Sequence, residues 1–134
     1  MPLLRKGAKT SMRFMTMVKA DKAYEAGQAP NAALDAAIVK LAEESFRSGV
    51  MVEMGGLLPT AKGARVRVSG GKMTVTDGPF TEIKELIGGY AILNVGSKEE
   101  AIEHTRRFLQ LHVDVLGKEY EGECEVRQMF EPGM

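Results

Sequence analysis

GGYAILNVGSKEEAIEH, residues 88–104, carries the chain from a strand into a helix, and its reading decides the fold. In an extended chain Tyr90 and Ile92 point to one side while Ala91, Leu93 and Val95 point to the other, so both faces of this strand ask for cover. Ser97-x-x-Glu100 is then a capping box, the signature of a helix start. Ala101, Ile102, Thr105, Phe108 and Leu109 follow at helical spacing and predict its buried stripe. Residues 13–18 repeat the two-sided character, with Phe14, Thr16 and Val18 facing one way and Met15 and Met17 the other.

Working outward, residues 19–30 read as a loop containing Asp21, Tyr24 and Gly27. Asn31 is a good N-cap for a first long helix, whose stripe is Leu34, Ile38, Leu41 and Ala42 and whose end is marked by Gly49. Residues 50–58 suggest a short strand. Segments 65–69 and 72–76 flank Gly70-Gly71, a two-residue hairpin signal that places Arg67 opposite Thr74 and Val68 opposite Met73. One hairpin face is then basic and polar, the other apolar, and Asp77 falls on the apolar side. A last strand, 121–130, alternates Cys124, Val126 and Phe130 with Glu125, Arg127 and Met129. The order β-α-β, hairpin, β-α-β predicts an α+β sandwich of ferredoxin-like topology, a mostly antiparallel sheet with two helices on one face. The helix-free face, carrying Met15 and Met17, then calls for an identical subunit, hence a homodimer.

The chain has 134 residues, enough for one domain: a lead-in at 1–11 and a folded unit at 12–134. Its 18 basic and 18 acidic side chains cancel. That balance gives no long-range field toward nucleic acid or an acidic membrane, so neither is expected as a partner. A lone cysteine, Cys124, forms no intramolecular disulfide and reads as a small core hydrophobe, and the cytoplasm is the expected location. No GxGxxG, P-loop or GxSxG run occurs, so no cofactor is expected. His104 and His112, eight apart without Cys or HExxH neighbours, make a poor metal site and read as structural. The glycine doublets at 55–56, 70–71 and 88–89 read as turn chemistry.

The run VTDGPFTEIKELIGGY, residues 75–90, closely resembles the signature of the DGPF family, also called YCII-related proteins. The resemblance extends through GLLPTAKGARVRVSGGKMTV (56–75), SKEEAIEH (97–104), EVRQMFEP (125–132) and KADKAYEAG (19–27). It implies a ferredoxin-like fold, usually a dimeric α/β barrel in which two sheets pack face to face. It also implies a genomic link to sigma factors of the extracytoplasmic-function type, with no settled activity. Shorter YCII relatives have a proposed His–Asp pair with the His on the first helix. Residues 31–48 here contain no histidine, so that pair is not carried over.

Asp77 is the leading candidate for chemistry. Beside Gly78-Pro79 it can be simply a turn residue. Facing an apolar cavity between sheet and partner, it would instead have a raised pKa and serve as a general acid or base. Glu82 and Lys84 follow as a second carboxylate and a cation, and Arg65 and Arg67 share one hairpin face where they can clamp an anion. Two functions stand side by side. One is a dimeric module binding a small ligand or a regulatory partner such as a sigma factor. The other is a cofactor-free acid–base enzyme using Asp77.

Overall fold

The computed structural model describes residues 11–28 and 31–133; the expected lead-in, save Ser11, lies outside them. Strand β1 (Met12–Lys19) is followed by a four-residue helix α1 (Lys22–Glu25), helix α2 (Ala32–Ser48) and strand β2 (Met51–Gly56). The hairpin β3 (Ala64–Ser69) and β4 (Lys72–Asp77) comes next, then β5 (Ile87–Val95), helix α3 (Lys98–Leu116) and β6 (Cys124–Gln128). Four strands form one antiparallel sheet in the order β2-β5-β1-β6. That order, with both long helices on one face, is compatible with a ferredoxin-like fold.

The two long helices begin where their caps require. Asn31 accepts from the Leu34 amide at 2.9 Å, and Gly49 ends α2 with φ 86°. Ser97 accepts from the Glu100 amide at 3.2 Å, while the Glu100 carboxylate reaches back to the amide of Gly96 at 3.1 Å. The core lies between sheet and helices: Phe14 from β1, Met51 from β2, Ala91, Leu93 and Val95 from β5, and Ala101 from α3. Leu93, fully buried, contributes about 1.5–3 kcal/mol through its removal from water.

The structure departs from the sequence reading in five places. Residues 19–30 contain α1, nucleated by Asp21, whose carboxylate accepts from the Tyr24 amide at 2.7 Å. The α3 stripe is Ala101, His104, Thr105 and His112, with Ile102 turned outward at 38% exposure. The reason is angular: 101, 105, 108 and 112 lie nearly in line at 100° per residue, and 102 sits a quarter-turn away. The second strand is shorter than the expected 50–58, ending at Gly56. Phe130 lies beyond β6 and is 93% exposed instead of packing inward. Finally, the glycine doublets 55–56 and 88–89 sit inside β2 and β5, with Gly56 opposite Gly89 and Gly55 opposite Tyr90.

The hairpin keeps the expected register, Ser69 opposite Lys72 through Arg65 opposite Thr76. It forms its own two-stranded sheet, separate from the four-stranded one. Its apolar side, Val66, Val68, Met73 and Val75, is between 60% and 71% exposed.

Candidate functional site

Two places compete for the chemistry, and the turn after β4 is the first. Gly78 donates its amide to Gly63 O at 2.9 Å, and a Cβ on Gly78 would collide with the Thr60 carbonyl. Only glycine fits there, and the bond to Pro79 is cis. The Phe80 amide donates to Thr60 Oγ1 at 3.0 Å, and Thr60 in turn donates through its amide and its hydroxyl to the Glu25 carboxylate. The motif therefore ties the foot of the hairpin to α1.

The charged candidates divide between engaged and open groups. Arg65 lies 3.9 Å over the Phe80 ring and donates to Glu82 at 2.9 Å, and Thr81 donates to the other Glu82 oxygen at 2.8 Å. The Thr81 hydroxyl, then the Arg65 guanidinium, hold the Glu82 carboxyl below its usual range. Arg65 and Glu82 thus occupy one another. Asp77 pairs with Ala64, so it projects from the hairpin face opposite Arg65 and Arg67 and is exposed to solvent. Arg67 and Lys84 are likewise exposed. The structure brings Arg65 and Glu82 together and leaves Asp77, Arg67 and Lys84 apart from them.

The second place is a cavity of about 540 Å³ between the sheet and the long helices, within the range of small-molecule sites. Its walls are Leu34, Ile38, Leu41 and Ala42 of α2 and His104, Phe108 and His112 of α3. Its floor is Thr16, Val18, Ala91, Met51 and Met54 together with Gly55, Gly56, Gly88 and Gly89. Those glycines explain the hollow. Gly56 and Gly89 pair across the sheet on the face of Ala91 and Leu93, so no side chain rises there beneath the helices, whereas Gly55 pairs with Tyr90 and its Cβ would meet that ring. Replacement is not free either: a Cβ on Gly89 would stand 3.0 Å from Gly55 O. The rim is α1, whose Tyr24 hydroxyl donates to Gly88 O at 2.7 Å.

Two histidines equip this cavity, and the sequence reading had set both aside as structural. His104 is 8% exposed, and its Nε2 lies 2.8 Å from Ser45 Oγ. Ser45 is itself buried and donates its single proton to Leu41 O at 2.7 Å. The serine oxygen can then only accept from His104, which fixes the Nε2–H tautomer of the neutral ring. Nδ1 is left with its lone pair and is the one buried side-chain nitrogen or oxygen among the described residues without a hydrogen-bond partner. Burial, and secondarily the nearby Arg107, push the pKa of His104 down, so the ring is neutral at physiological pH. His112, also 8% exposed, donates Nδ1–H to Phe108 O at 2.9 Å and stacks on Tyr120 with ring centres 4.9 Å apart. Its Nε2 lone pair is therefore the free one.

A thiolate or a metal does not fit this site. Cys124 lies outside the cavity and is half-buried rather than in the core, and burial, then Glu123, raise its thiol to about 11. Among the described residues no three His, Cys, Asp or Glu side chains converge to hold a metal. No helix among them is long and apolar enough to cross a membrane. The signal that sequence reasoning missed was the alignment of His104 and His112 with Ala101 and Thr105 on one helical face, above a strand pair that sets Gly56 opposite Gly89.

Comparison with known proteins adds the family. An uncharacterised protein of Rhizobium meliloti (strain 1021) is 36% identical over 59 residues, covering 44% of this chain and 48% of that protein. The chain therefore spans about half the length of that curated relative. Residues 12–108, which run from β1 into α3 and include the whole DGPF turn, match the profile of the YCII-related domain. The chain belongs to the YCII-related domain family.

Proposed function

We propose that this chain is a small-molecule-binding domain whose ligand enters the cavity under α2 and α3. The observation that supports this most is the hollow itself, about 540 Å³ between sheet and helices, walled by Leu34, Ile38, Leu41 and Phe108 and bordered by His104 and His112. Asp77 lies outside this cavity, and the DGPF turn acts as a brace for α1. Ala42→Phe tests the reading by placing a ring in the hollow. It should abolish the fluorescence that a neutral dye such as Nile red is expected to gain in the parent protein's cavity, while Asp77→Asn leaves that fluorescence intact. Equal loss in both variants would return the site to the turn.

A second copy of the chain completes the molecule in this proposal. The exposed apolar hairpin face and the helix-free sheet face, with Met15, Met17, Tyr90 and Ile92 half-buried at its centre, give a self-complementary surface. Packing of two sheets face to face would form the dimeric α/β barrel. It leaves the cavity, on the opposite face of each sheet, free to work in each subunit.

A further inference from the structure

We infer that His112 is the polar anchor of the cavity, and that its open Nε2 accepts a hydrogen bond from the O–H or N–H of a neutral, mainly apolar ligand such as a phenol or an indole. The inference rests on the cavity reading above and names the anchoring atom and the ligand class for it. His112 is held from one side only. Its Nδ1 lies 2.9 Å from Phe108 O, and a carbonyl oxygen can only accept, so Nδ1 carries the proton of the neutral ring. Nε2 then holds a lone pair and has no hydrogen-bond partner in the protein. It is not sealed in, because Nδ1 of His104 is the one buried side-chain nitrogen or oxygen without a partner among the described residues. An unpartnered Nε2 on His112 therefore meets solvent. His112 is 8% exposed and borders the cavity, so the solvent it meets is the cavity's.

The two histidines thus differ in use. His104 spends Nε2 on Ser45 and keeps Nδ1 closed off from water, so it serves as packed wall. Of the two rings, only His112 presents an acceptor that a ligand can reach. Its direction is fixed: Tyr120 stacks on the ring with centres 4.9 Å apart, and Phe108 meets it at an edge with centres 4.7 Å apart. Water satisfies Nε2 in the empty cavity. A ligand that displaces this water must bring a donor of its own or lose affinity. An ether or ketone oxygen at the same place would set lone pair against lone pair. Beyond the donor, Leu34, Ile38, Leu41, Phe108 and Leu116 ask for hydrocarbon.

Two measurements on the full chain test this. In the first, 1-naphthol and 1-methoxynaphthalene are titrated by calorimetry. Naphthol should bind about tenfold more tightly than its methyl ether, the scale of leaving one acceptor unpaired, and His112→Phe should erase that preference while still binding both probes. In the second, diethyl pyrocarbonate, which acylates a reachable imidazole nitrogen, is followed by peptide mass spectrometry in the parent protein. His112 should be modified and His104 spared, and saturating naphthol should protect His112. This second measurement decides the matter if His112→Phe does not fold. Equal affinity for the two probes, a naphthol preference that survives His112→Phe, a His112 that the reagent does not reach, or one that naphthol does not protect would overturn the anchor inference and leave the cavity reading standing. Failure of both probes to bind would overturn the cavity reading itself.

Discussion

His104 borders the cavity, and its burial has a consequence in solution. Desolvation first, and Arg107 second, lower its pKa in the folded state below the ordinary 6.5. The unfolded chain therefore takes up a proton as pH falls through 6.5, while the folded chain resists until lower pH. The stability this neutral ring sustains is complete above that value and is lost as pH falls toward the depressed pKa. Glu44, paired with Arg107, offsets part of the cationic contribution but not the desolvation. Urea unfolding should show a decline in stability from about pH 7.5 to about pH 5.5, and His104→Phe should flatten it. An unchanged slope in that variant would place the proton uptake on another group.

At the scale of elements, the small helix α1 links the two places where chemistry was sought. The Phe80 amide, Thr60 and Glu25 form a continuous hydrogen-bonded line from the DGPF turn to α1, and Tyr24 fastens α1 to Gly88 at the cavity floor. Glu25→Ala removes the acceptor for the Thr60 amide and hydroxyl and should cost about 1–3 kcal/mol; Tyr24→Phe should cost about 1 kcal/mol. Native-state hydrogen exchange should then quicken at Ala26 and Gly27, whose amides close α1, and leave the centre of α3 protected. Uniform quickening across the chain would show that α1 is not a separable rim.

Much of this level was legible beforehand because it is written locally. Asn31, Gly49 and Ser97-x-x-Glu100 announce helix ends through their own side chains, and Gly70-Gly71 fixes a hairpin register by counting. The α1 helix was not legible, because four residues hold too little periodicity and its stability comes from Thr60 and Gly88, far away in sequence. The candidate site failed for a related reason. Asp77 looked misplaced because its strand face is apolar, yet that face meets solvent in the single chain. The cavity depends on what is missing at Gly56 and Gly89, and an absence of side chains looks like a turn until the strands are paired.

For the whole molecule, the sandwich leaves its two sheet faces with different tasks. One face and the helices enclose a hollow; the other sets half-buried Met15 and Met17 beside the Glu125–Arg127 pair, and Val66, Val68, Met73 and Val75 of the hairpin stay exposed. A dimer should therefore sediment at twice the 14.6 kDa chain mass at micromolar concentration. Val68→Lys with Met73→Glu should shift it toward the monomer without loss of helix signal. A parent protein that sediments as a monomer throughout would remove the second copy from the proposal and leave the cavity within each chain untouched.

The central claim is that the ligand site is the glycine-floored cavity and not the DGPF turn. Isotope-labelled protein titrated with 1-naphthol and followed by amide and side-chain shift perturbation tests it most directly. Saturable shifts are expected at Leu41, Ala42, Gly89, His104 and Thr105, with Asp77, Arg67 and Lys84 unmoved. Shifts centred on residues 77–84, with His104 silent, would contradict it.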